Sequence, residues 1–138
     1  MPNKPYAVEW LFFAKRNIDT AVLLYNASHY EDIIGIELQQ ALEKVLKSVL
    51  AFQNLKIPKE HDLVKIYFLI EPFIVLQEQD VVRLRMATDY YKEDRYPNPY
   101  YQLPSREEIK DMLDFTTVFF DTVCDKLGIA SYNIIHKV

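Results

Sequence analysis

The run from Tyr30 or Glu31 to Asn54 limits what this chain can fold into more than any other part of it. Leu38, Ala41, Leu42, Val45 and Val49 recur at helical spacing, while Gln39, Gln40, Glu43, Lys44 and Lys47 occupy the other side. At ~100° per residue those polar side chains share an arc of roughly 140°. The pattern is unbroken over roughly 24 residues, a helix about 36 Å long. Gly35 is tolerated inside it, and Asp32 suits the positive end of the helix dipole. Such an element is the expected spine of a helical bundle. Its polar arc has two readings: a solvated surface with Glu43 and Lys47 as an ordinary i,i+4 pair, or one wall of a site.

The remaining chain agrees with helices throughout. Only two glycines occur, too few for the hairpins and sharp turns of an all-β fold. With 138 residues, half of them hydrophobic, the chain is expected to form one domain over 1–138 with its own core. After Pro2 and Pro5 a first helix is expected from about Tyr6 or Ala7, with Leu11, Ala14, Ile18, Ala21, Val22 and Tyr25 inward. Trp10 and Phe13 lie partly off that seam, where they either widen the core or cover an apolar patch. Asn26 to His29 reads as a tight turn between antiparallel helices.

Beyond Pro58, Lys59 to Asp62 opens a short helix with Leu63, Ile66, Tyr67 and Ile70 inward. Glu71-Pro72 interrupts it, with a further turn of helix expected over Phe73 to Leu76. A fourth helix starts at Gln79 or Asp80, with Val81, Leu84, Ala87 or Thr88 and Tyr91 inward, and Asp89 to Tyr101 is expected as a tyrosine-rich loop shaped by Pro97 and Pro99. Ser105 and Glu108 have the spacing of a capping box. The helix they open points Ile109, Met112, Leu113, Thr116, Phe119, Phe120, Val123 and Leu127 inward and stops at Gly128. The tail from Ile129 is apolar enough to dock or short enough to fray. The fold class is therefore all-α.

Composition narrows the function by exclusion. Net charge is -4 with Lys and Arg dispersed, so no basic stripe advertises nucleic acid. The single cysteine, Cys124, has no partner for a disulfide or metal and reads as core packing in a reducing cytoplasm. The start of the chain has no signal-peptide pattern and no stretch reaches ~18 successive apolar residues, so a cytoplasmic protein without a membrane anchor is expected. His29, His61 and His136 have no helical-spacing partners, which predicts no metal site. Neither a glycine-rich phosphate loop nor a nucleophile elbow is present, and no cofactor is expected.

Three segments remain: Gln39 to Lys47, His61-Asp62-Leu63, and Arg95-Tyr96-Pro97 preceded by Tyr91. Their order and spacing, together with a first helix carrying Trp10 and Ala21, make the chain resemble the HEPN family (higher eukaryotes and prokaryotes nucleotide-binding) over nearly its whole length. The resemblance implies an up-and-down bundle of four to five helices, akin to the C-terminal domain of kanamycin nucleotidyltransferase, commonly as a homodimer. It also implies a minimal nucleotidyltransferase as partner in a two-component or toxin–antitoxin pair. Many HEPN proteins are metal-independent ribonucleases with an arginine and a histidine a few residues downstream. Here the positions five to seven beyond Arg95 are Tyr100, Tyr101 and Gln102, and Arg83, Arg85 and Arg106 also lack such a histidine. The imidazole expected as general acid or base is missing.

The resemblance therefore points to a non-catalytic nucleotide-binding or partner-binding subunit rather than to a ribonuclease with a non-standard site or a purely structural dimerisation module. Its candidate cleft gathers Glu43, Lys44, Lys47, His61, Arg95 and Tyr96. The cations are suited to phosphate, and Tyr91 or Tyr96 to stacking on a base. The competing structural role makes Glu43 the buried partner of Arg95, and His61 a residue that only bonds back to the chain.

Overall fold

The structure, a computed structural model, describes residues 2–95, 98–130 and 134, with the backbone alone at 94 and 95. Among these residues there are five helices: α1 (Lys4–Asn26), α2 (Glu31–Phe52), α3 (Leu63–Ile70), α4 (Glu78–Arg95) and α5 (Arg106–Leu127). None is long and apolar enough to cross a membrane.

Contacts at the helix ends set the topology. The backbone N–H of Asn3 donates to the Phe52 carbonyl, so α1 begins where α2 ends and the two are antiparallel. Lys4 Nζ donates to the Gly128 carbonyl, and at the opposite end Arg106 Nη2 donates to the Tyr25 carbonyl, so α5 also runs against α1. Arg83 meets Asp111 while Tyr90 meets Glu108, which makes α4 antiparallel to α5. The four long helices thus alternate in direction, with α3 as a short bridge. α2 packs against all four of the others, as expected of the spine.

The core follows the periodicities. The inward residues anticipated for α3 and α5 are all buried, as are Leu11, Ala14, Ile18 and Ala21 of α1. Ser105 caps α5 by accepting from the Glu108 backbone N–H, while the Glu108 carboxylate accepts from the Tyr90 hydroxyl. Gly128 ends the helix at φ 66°, a left-handed conformation that costs glycine least. Asp62, rather than His61, caps α3, its carboxylate accepting from the N–H groups of Val64 and Lys65. Ile129 and Ile134 are buried, so the start of the tail docks at those points.

Several expectations are corrected. α1 starts at Lys4 rather than Tyr6, because Asn3 caps it and Pro5 lies in the first turn, where a missing N–H is harmless. Val22, expected inward, is exposed, since the α1 seam narrows toward the turn. The helical turn expected over Phe73 to Leu76 is not formed: residues 71–73 make a turn and 74–77 are non-helical. The largest correction concerns 89–95, expected as loop and found as the last turns of α4. Proline constrains itself and the residue before it, so Pro97 leaves the chain up to Arg95 free to stay helical. Within those turns Tyr90 is buried, whereas Tyr91, expected inward, is only half-buried. Tyr90 packs against Gly35, where an added Cβ would stand 2.9 Å from its ring. Gly35 inside α2 is thus the space into which α4 fits.

Candidate functional site

The polar arc of α2 faces inward. Gln39, Glu43 and Lys47 are buried, whereas Gln40 and Lys44 are half-buried. The solvated-surface reading of this arc is therefore replaced by an internal polar cluster, and the helix is covered nearly all round.

Glu43 is its centre. One carboxylate oxygen lies 3.0 Å from Lys47 Nζ, one turn along the same helix, and the other accepts from Gln39 Nε2 at 3.1 Å and faces His61 Nδ1 at 3.0 Å. Gln39 Nε2 also reaches the His61 carbonyl at 3.2 Å, and Gln40 Nε2 donates to Gln39 Oε1 at 2.7 Å. A buried carboxylate demands this many partners, because desolvating an uncompensated charge costs several kcal/mol, on the order of the Born penalty after relaxation. Burial alone raises the Glu43 pKa, but the bonds from Lys47 and His61, with the Lys47 charge and Gln39, outweigh it and hold the carboxyl below its ordinary range. Lys47 Nζ also lies 5.9 Å from the centroid of the half-buried Trp10 ring, so α1 closes this end of the cluster.

His61 is the outer member. Its side chain is 48 % exposed, and its ring stacks on Tyr91 of α4 with centroids 4.9 Å apart and planes 27° from parallel. The loop before α3 is pinned beside this pair by the Leu63 N–H donating to the Thr88 hydroxyl at 3.0 Å. His61 is therefore not simply a first-turn residue: a buried acid on α2 and an aromatic ring on α4 fix its plane.

Lys44 takes a different direction. Its ammonium donates to Asn17 Oδ1 at 2.6 Å, and Asn17 Nδ2 donates to Glu37 at 2.9 Å, so Lys44 belongs to the α1–α2 seam. Burial lowers its pKa, with the Glu43 and Glu37 carboxylates opposing. Of the six candidate residues, the structure thus brings Glu43, Lys47 and His61 into one hydrogen-bonded unit and turns Lys44 toward Asn17. The Arg95 side chain and Tyr96 lie outside the described residues. Among the described residues no group of three or more His, Cys, Asp and Glu has the placement to hold a metal.

Gln39, Asn17 and Thr88 carry polar connections that the sequence reading did not assign. The Thr88 hydroxyl was detectable in principle, as a polar residue in the core stripe of α4. Asn17 was not, because its partners come from another helix.

Comparison with known proteins agrees with this architecture. The HEPN domain profile matches residues 7–127. The fold is similar to the crystal structure of TT1696 from Thermus thermophilus, with a TM-score of 0.74 at 22% identity, covering 87% of this chain and 97% of that one. It is also similar to ST0689, an archaeal HEPN homologue, with a TM-score of 0.68 at 17% identity, covering 88% of this chain and 97% of that one. Comparison with curated proteins returned no match.

Proposed function

This chain belongs to the HEPN family, and we propose that it acts there as a non-catalytic subunit that binds a nucleotide at the His61–Tyr91 edge of the Glu43 cluster. The observation that carries the reading is the stacked, half-exposed imidazole held in place by a buried carboxylate. A ring whose plane is fixed in advance offers a base a stacking surface at little further entropic cost. Lys47 is committed to Glu43 and Lys44 to Asn17, so phosphate binding in this reading falls to Arg95, one turn beyond Tyr91 on α4, and to Tyr96, next to it in sequence.

The absence of a histidine at the ribonuclease spacing from any arginine supports a binding role over a catalytic one. Family membership supports a homodimer and a minimal nucleotidyltransferase partner in a toxin–antitoxin-like pair, and a lone buried thiol suits a reducing cytoplasm.

Titration calorimetry with ATP and AMP tests the proposal, comparing wild type with His61→Ala and Arg95→Ala. Saturable binding that weakens about tenfold or more in both variants is expected, with circular dichroism verifying that each variant, His61→Ala at a lower stability, remains folded. Lost stability with unaltered binding assigns the residues a structural role only. Cleavage of RNA by the wild type that disappears in the double variant makes the protein a ribonuclease instead.

A further inference from the structure

A second surface lies at the other end of α4. Residues 75–77, the first turns of α4 and one side of α5 enclose a groove of about 470 Å³. Leu76, Phe115 and Phe119 line it, the two phenylalanine rings stacked with centroids 5.7 Å apart. Val75 and Val118 also line it, 79% and 63% exposed. Valines this open beside a stacked aromatic pair leave most of their surface in water, whereas a partner's apolar side chains would remove both from it.

The charge around the groove selects the partner. Asp111, Asp114, Asp121 and Asp125 are exposed and, with Val118, fall within an arc of about 80° on α5. Two of the four are already paired within the chain, Asp111 with Arg83 through bonds of 2.8 and 3.2 Å and Asp114 with Lys110 at 2.7 Å, while Arg83 also holds Asp80 at 2.9 Å. Asp121 and Asp125 continue the stripe beyond them. A second copy of this chain suits the groove poorly, since it carries the same stripe and the same net charge of -4.

We propose that this groove docks an amphipathic helix of a partner protein, with an apolar ridge set between Val75 and Val118 and lysines or arginines at the Asp121 and Asp125 end of the α5 stripe. Helix-in-groove recognition of this kind takes its affinity from the apolar anchors and its sign preference from the flanking charge. The surface uses neither His61 nor Tyr91, so its test is independent of nucleotide binding.

Two synthetic helical peptides serve as probes, one of leucine and lysine and one of leucine and glutamate with identical leucine spacing, titrated into the full chain by calorimetry. Expected are saturable one-to-one binding of the Leu–Lys peptide, binding of the Leu–Glu peptide at least about tenfold weaker, and a similar loss for Leu–Lys in Val75→Ser/Val118→Ser. Both valines are exposed, and circular dichroism on that variant verifies that its fold is retained. Equal binding of the two peptides, Leu–Lys binding unaffected by the double substitution, or no binding overturns the proposal. So does a wild-type dimer in sedimentation that Val118→Ser dissociates, which makes a second copy the occupant.

Discussion

Lys47 Nζ stands 3.0 Å from Glu43 Oε2 one turn away on α2, and both side chains are about nine-tenths or more removed from solvent. An i,i+4 pair on a helix surface contributes only a few tenths of a kcal/mol, roughly 0.2–0.5. In the interior the same spacing has a different meaning, because neither charge can be left without the other.

Removing one partner is therefore expected to cost more than removing both. Lys47→Met, which strands the Glu43 carboxylate, should destabilise the protein by about 3–5 kcal/mol in urea unfolding. Combined with Glu43→Leu, the loss should be clearly smaller than the sum of the single losses. Strictly additive losses would mean that the pair contributes nothing as a pair.

The pH dependence follows from Glu43. Its carboxyl is held below the ordinary value of 4.5, so its contribution is present above that value and is lost as pH falls through the lower folded one. Wild-type stability should fall through this acid range, and Glu43→Gln, although less stable at neutral pH, should show a shallower fall. Equal acid slopes in the two proteins would remove Glu43 as the cause.

The alkaline side has the opposite sign. Burial, reinforced by the Glu108 carboxylate, raises the Tyr90 hydroxyl above its ordinary range, so stability linked to it is present below about 10 and declines as pH rises. Tyr90→Phe should flatten that alkaline decline in guanidinium unfolding. An unchanged slope would place the titrating group elsewhere.

Burial also pushes the Cys124 thiol up to about 12, the Asp121 and Asp125 charges adding to the effect. At neutral pH a thiol reagent should modify the native protein far more slowly than the urea-unfolded chain. Rapid reaction of the native form would show that α5 opens locally at this residue.

At the α2–α4 crossing, Gly35→Ala should destabilise by about 1–3 kcal/mol, because the new methyl meets the Tyr90 ring inside van der Waals distance. Pairing it with Tyr90→Leu should recover part of that loss. A neutral Gly35→Ala would mean that the ring shifts aside at no cost.

Sequence periodicity alone determined the all-α class, most helix bounds to within a few residues, the Ser105 cap, the Gly128 stop and the buried faces of α3 and α5, because those depend on residues three to four positions apart on one helix. It was the resemblance to the HEPN family, not periodicity, that marked Glu43, Lys47 and His61 as a group. Only the tertiary structure decided what that group does locally. Whether a polar arc meets water or other helices depends on how many elements surround it, and α2 is contacted by all four others. The same holds for Tyr90 and Tyr91, where the packing of α4 against α2 and the loop before α3 sets the first against Gly35 and stacks the second on His61. Neighbours far apart in the chain and close in space carry no local signal, so the stretch that looked like a solvated ion pair became the polar interior of the bundle.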